Sequence, residues 1–192
     1  MSDHTSPPAL AGVPGEYAGI ETEASDGQGV FAELAPGLDR RARNGVLPPH
    51  HPECLGCGPD NPHGHHIQVR QDGERVFLEH VFDHRHVGAP GIAHGGAVAT
   101  VLDDLFGFLL YVVGEPAVTR HLEVDYHAPV WLDHPYRLAA SLDRRDGRKL
   151  FMQATAIDEG GAHVLTARAL FIVVPLEHFH GGTGSGGPPV AP

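Results

Sequence analysis

From residue 67 onward the apolar positions settle into a regular pattern. Ile67 to Gln71 and Arg75 to Phe82 read as strands joined at Asp72-Gly73, a hairpin signal. A Gly/Pro loop, Val87 to Ile92, leads into a helix from about Gly95 to Val113. Four more strands follow, at Ala117 to Val130, Tyr136 to Asp143, Lys149 to Asp158 and His163 to Val174, with turns at Asp146-Gly147 and Gly160-Gly161. Leu122, Val124, Tyr126, Ala128 and Val130 alternate with His121, Glu123, Asp125 and His127. Leu165, Ala167, Ala169, Phe171 and Val173 form an apolar row in the last strand, so one sheet face is dry.

The helix follows a different rule. Ala97, Val98, Val101, Leu102, Leu105, Phe106, Phe108, Leu109 and Val112 cover nearly its whole circumference, so it must be surrounded. One long central helix wrapped by an antiparallel sheet, in the order ββαββββ, is an α+β arrangement known as the hotdog fold. One such sheet cannot cover every side of the helix. At least a homodimer is therefore expected, by edge pairing or by packing around the helices, with a dimer of dimers as the larger option. The apolar stretch Ala97 to Val113 is short for a membrane span and carries Asp103 and Asp104, so it is expected to be buried in protein instead.

Outside this pattern the chain changes character. Residues 1–49 mix Pro, Gly, Asp and Glu without a sustained period, apart from a possible short helix near Val30 to Leu34 and the basic Arg40, Arg41 and Arg43. They are expected to form a loosely ordered extension, residues 50–176 the domain, and residues 177–192 a flexible tail. At 192 residues the length suits one domain. The net charge of −11 disfavours nucleic acid or an anionic membrane as partner, because both need a basic surface. The N-terminus has neither a basic start nor an apolar run, and the two cysteines make no disulfide scaffold. A cytoplasmic protein is expected.

The most specific stretch is GAPGIAHGGAVATVLDD, Gly88 to Asp104. It joins an HGG turn to an acid nine residues after His94, and Val118 to Val130 adds the pattern T-x-x-L-x-x-x-Y-x-x-P. Together with CLGCGPDNPHG, Cys54 to Gly64, these segments resemble the hotdog thioesterases of the phenylacetate-pathway (PaaI-like) group. They are closer still to the carboxyl-terminal modulator protein type, which acts on acyl-CoA. The resemblance covers about Cys54 to Val174 and implies hydrolysis of medium- to long-chain acyl-CoA, with an aryl-acyl preference as the other option within the group. It implies that Thr119 helps position the attacking water, and that the active site lies between two subunits. Many PaaI-like members have Asn six residues before the motif's His, where this chain has Gly88, as the closer subgroup does. Any role of that Asn is absent here.

Physical chemistry points the same way. Gly95 and Gly96 open the helix, where backbone N–H groups lack internal partners and the dipole is positive. A developing oxyanion is stabilised at such a place, with Gly95 as donor and Gly96 letting substrate approach. Asp103 supplies a carboxylate, as general base or as nucleophile. Asp104 sits about 100° further round the helix and is expected to be structural. His94 either orients the substrate carbonyl or merely holds the helix start. Gly95 and Asp103 are separated by about 12 Å of helix rise, too far to act on one carbonyl carbon. Gly95 of one chain should therefore work with Asp103 of another.

Other features compete for a role. Arg144, Arg145, Arg148 and Lys149 surround the Asp146-Gly147 turn, either as a solvated hairpin tip or as a patch for the phosphates of coenzyme A. Cys54 and Cys57 have C-x-x-C spacing, flanked by His50, His51, His63, His65 and His66, which suggests zinc. No second C-x-x-C exists, and the resembling family uses the segment without metal, so neither a metal nor a cofactor is expected. Two alternatives to hydrolysis remain, a hotdog dehydratase or hydratase using His94 and Asp103, and a non-catalytic acyl-CoA-binding protein.

Overall fold

A computed structural model describes residues 45–180. The possible helix at Val30 to Leu34, most of the extension and the tail beyond residue 180 lie outside the described residues.

The chain forms β1 (Arg70–Asp72), β2 (Arg75–Val81), a 3₁₀ turn (His84–His86), β3 (Val87–Ala89), β4 (Ile92–Ala93) and helix α1 (Gly95–Val113). Then come β5 (Ala117–Tyr126), β6 (Pro135–Asp146), β7 (Lys149–Ile157), β8 (His163–Val173) and a short helical turn, Glu177–His180. Six strands pair antiparallel in the order β1-β2-β6-β7-β8-β5. The expected hotdog arrangement is thus present. A small β3–β4 hairpin lies within the Gly/Pro loop, and Ala93 N–H donates to Val130 O at 2.8 Å, fixing the chain just before α1.

The inward rows follow the period of two. Val76 and Leu78 of β2, Leu138 and Ala140 of β6, Leu150 and Met152 of β7, and Ala167, Ala169 and Phe171 of β8 are all buried. Against them lie Val101, Leu102, Leu105, Phe106, Phe108 and Leu109 of α1, each at most 1% exposed. By length and composition α1 could cross a membrane, but this packing makes it the domain's core helix. It ends at Gly114, whose left-handed φ of 78° suits the absence of a Cβ. The hairpins close at Gly73 and Gly147, with φ of 57° and 54°.

The segment before the sheet also packs. Leu47 is buried and its N–H donates to Val69 O, while Val46 bridges to Arg70. The packed domain therefore includes Val46 and Leu47, which the sequence pattern left in the extension. From there, residues 50–57 pack against α1, gathering His50, Cys54 and Cys57 around Asp104.

Candidate active site

Helix α1 starts at His94, whose backbone N–H donates to His86 O at 2.7 Å. The His94 ring folds back so that Nδ1 accepts the Gly96 N–H at 2.8 Å. That bond satisfies one of the unpaired donors of the first turn. With Nδ1 accepting, the ring's donor position is Nε2. His94 is exposed, so an Nε2–H donor faces the solvent side of the helix start. A side chain on Gly96 would place its Cβ 3.0 Å from His94 Nδ1, so the second glycine makes room for this cap. The amide of Gly96 is thus engaged by His94, while Gly95, in the same turn, has no intrahelical acceptor for its N–H.

Gly88 has a related explanation. A Cβ there would lie 2.6 Å from His94 Cα, so β3 approaches the helix start too closely for any side chain. Tyr126, at the end of β5, holds the same turn by donating its hydroxyl to Gly95 O at 2.8 Å. Its pKa is raised by burial, which keeps it a proton donor. Tyr126 was legible as the Y of the β5 motif, yet nothing in the spacing tells that its hydroxyl reaches a helix terminus.

Two turns further along, Thr119 Oγ1 donates to Asp103 Oδ1 at 2.9 Å. Strict alternation along β5 would put Thr119 on the opposite face from Leu122. A bulge between Thr119 and His121 removes that mismatch, since Thr119 pairs with Phe171 and Leu122 with Ala169, two residues on the same inward face of β8. The hydroxyl reaches the helix because of the extra residue.

Gly96, Ala99, Thr100 and Asp103 lie along one stripe of α1 and line a cleft of about 410 Å³. Its other walls come from Leu122 and from Cys54, Leu55 and Gly56. Asp104, the next residue, borders the cleft but is bonded elsewhere. Its Oδ1 lies 3.0 Å from His50 Nδ1 and accepts from Cys54 Sγ at 3.2 Å. Burial pushes the Asp104 pKa up. Burial opposes charge on His50, but hydrogen bonds with Asp104 and Cys54 prevail and push it up to about 9. Hydrogen bonding to Cys57 draws Cys54 down, and the same contact, with burial, pushes Cys57 up.

The arginines sit elsewhere. Arg145 pairs with Glu115, just beyond the C-terminus of α1, and its Nε donates to Gly147 O. Arg144 stacks over the Phe151 ring, 3.5 Å from its centroid, and Arg148 is exposed. Within one chain the structure does not bring this cluster to Gly95, since the helix between them is about 28 Å long.

Residues 90–165 match the thioesterase superfamily. The acyl-coenzyme A thioesterase THEM4 of Rattus norvegicus is 38% identical over 87 residues, 44% of this chain and 37% of that protein. The chain thus spans well under half the length of this curated relative. A crystal structure of a thioesterase superfamily protein superposes with a TM-score of 0.60 at 26% identity, covering 76% of this chain and 72% of that one. A hypothetical thioesterase protein from Streptococcus pneumoniae, solved with coenzyme A, shares the fold, with a TM-score of 0.53 at 18% identity over 56% of this chain and 85% of that one. With the ββαββββ order and the HGG helix start in place, the chain has the hotdog fold and is similar to acyl-coenzyme A thioesterases of the THEM4 type.

Proposed function

We propose that the protein hydrolyses an acyl-CoA thioester to the free acid and coenzyme A. The Thr119–Asp103 hydrogen bond on the cleft stripe of α1 carries this reading. A hydroxyl donated to Oδ1 fixes the carboxylate plane and leaves Oδ2 for water or for the substrate carbonyl. Asp103 then acts as general base or as nucleophile. The oxyanion that forms on the carbonyl is met by the Gly95 N–H and the positive end of the helix. Collapse of the tetrahedral adduct breaks the C–S bond and expels the coenzyme A thiolate, which takes up a proton. On the general-base route that proton is the one Asp103 removed from water. On the nucleophilic route water then cleaves the acyl–Asp103 anhydride to the free acid. His94 Nε2–H is a further donor beside Gly95. These steps use side chains and backbone alone.

Because α1 is continuous from Gly95 to Val113, its glycine end and Asp103 stay about 12 Å apart. Each site therefore combines Gly95 of one subunit with Asp103 of its partner. The open edge of β5 and the exposed Tyr126 and Trp131 offer a surface for that pairing. Relatives named acyl-coenzyme A thioesterase support the reaction, and the relative solved with coenzyme A supports the substrate class. Medium- or long-chain acyl groups are the proposed preference.

The test is a thiol-release assay across acyl-CoA chain lengths, with crotonyl-CoA hydration followed in parallel. Release of free thiol with acid formation is expected. Water addition to crotonyl-CoA without thiol release would replace hydrolysis by hydration, and binding without either reaction would make the chain an acyl-CoA-binding protein.

A further inference from the structure

We propose that His50, Cys54, Cys57 and Asp104 form a tetrahedral zinc site that fastens the segment before the sheet to helix α1. Their ligand atoms all lie within 4.8 Å of one another. The contacts within the set are 3.0 Å for His50 Nδ1 to Asp104 Oδ1, 3.2 Å for Cys54 Sγ to Asp104 Oδ1, and 3.5 Å for Cys57 Sγ to His50 Nδ1. Zinc bound tetrahedrally by sulfur at about 2.3 Å and by nitrogen or oxygen at about 2.0–2.2 Å sets neighbouring ligands roughly 3.3–3.8 Å apart. The four side chains already stand near the corners of such a figure.

The surroundings suit a metal-bound thiolate. The His50 N–H donates to Cys57 Sγ at 3.3 Å, a backbone bond that stabilises negative sulfur. The His50 ring packs against Phe108, 4.2 Å away by centroids, and stacks on Tyr111 at 5.6 Å. The loop closes so tightly that a Cβ on Gly56 would lie 2.4 Å from the Asp104 carboxyl, and one on Gly107 would lie 3.0 Å from the His50 ring. As a hydrogen-bonded group without an ion, the cluster leaves Asp104 Oδ2 buried without a partner, and a carboxylate turned onto the ion can bring that oxygen to it. Four protein ligands close the coordination sphere, so the ion is structural. Its loop ligand Cys54 also lines the cleft beside Asp103, so the site shapes the wall against which substrate lies.

A second cluster, His65, His80 and His86, also brings three ring nitrogens together. Its ring orientations disfavour joint ligation. A histidine lone pair lies in the ring plane, and the rings of His65 and His86 stack at 4.1 Å with 16° between planes. No point close to both nitrogens lies in two near-parallel ring planes, so joint ligation would require one ring to turn.

The experiment uses the full chain, purified without a histidine tag or chelator. Metal analysis should find about one zinc per chain. His65→Gln should retain it, and Cys57→Ser should lose it. Exchange of zinc for cobalt should give the ligand-field bands of a tetrahedral ion together with a thiolate-to-cobalt charge-transfer band. The chain has only two cysteines, so that band places the ion at Cys54 and Cys57 even where Cys57→Ser does not fold. Reduced protein that takes up neither zinc nor cobalt would overturn the proposal. So would metal retained by folded Cys57→Ser, or a cobalt spectrum without the thiolate band.

Discussion

Asp103 and Asp104 are neighbours in sequence, yet they serve different regions of the molecule. Asp103 lies on the cleft stripe of α1, is partly exposed, and takes one hydrogen bond from Thr119. Asp104 lies about 100° round the helix, with its side chain 11% exposed, among His50, Cys54 and Cys57. A carboxylate held by one hydroxyl beside a cleft keeps an oxygen free for chemistry. One enclosed by an imidazole and two thiols is committed to holding the loop. A single step along the helix thus separates the acid proposed for the reaction from the acid that holds the loop.

The largest change in stability should come from the buried side. Asp104→Asn leaves His50 and the thiols without their anionic partner, and thermal denaturation should show a loss of about 3–5 kcal/mol. The same substitution made at Asp103 should leave the melting temperature nearly unchanged. If both variants melted alike, the distinction between the two acids would fail.

Thr119→Val sharpens the comparison on the cleft side. It removes the hydroxyl that orients the Asp103 carboxyl, so kcat should fall by up to about 10²-fold, with only a small change in melting for an exposed hydrogen bond. Thr119→Ser, which keeps the hydroxyl, should restore most of the rate.

How much of this could be read from the sequence depends on the range of the interaction. The bounds of α1 and the hairpin turns were legible, because apolar periodicity and Asp-Gly pairs are local signals. The β3–β4 hairpin was not, since strands of two or three residues carry no period. Thr119 was recognisable from its motif, but its turn toward Asp103 depends on a bulge that alternation cannot reveal. His50 meets Asp104 across 54 residues, a contact that no spacing rule encodes. His80 shares the inward face of β2 with Val76 and Leu78, which its residue type alone would not suggest.

That inward histidine supplies the next prediction. Burial is the main cause that lowers His80 to about 3 and His65 to about 4, with the charges of His86 and Arg85 adding to it and Asp83 opposing. Both pKa values are depressed on folding, so the unfolded chain binds the extra protons. Stability from these groups is fully present above about pH 6.5 and is lost as pH falls from there toward 4. At pH 5, His80 alone should cost about 2 kcal/mol relative to pH 7. His80→Gln should flatten this acid limb in denaturation measured against pH. Because His86 O holds the His94 N–H, the cleft side should lose activity over the same range.

The smallest effect is expected at the β6–β7 hairpin, remote from both acids within one chain. Replacing Arg145 and Arg148 by Ala should raise KM for acyl-CoA a few-fold and leave kcat nearly intact, since distal phosphate contacts bind ground and transition states alike. An unchanged KM would remove the arginines from the site.

The most direct test is thiol release from acyl-CoA by Asp103→Asn, with its thermal melt recorded on the same preparation. Turnover should fall by about 10²–10⁴-fold or more, the share a positioned general base or nucleophile supplies, while the melt stays close to that of the native chain. A folded Asp103→Asn protein that releases thiol at the native rate would contradict the assignment of the chemistry to this carboxylate.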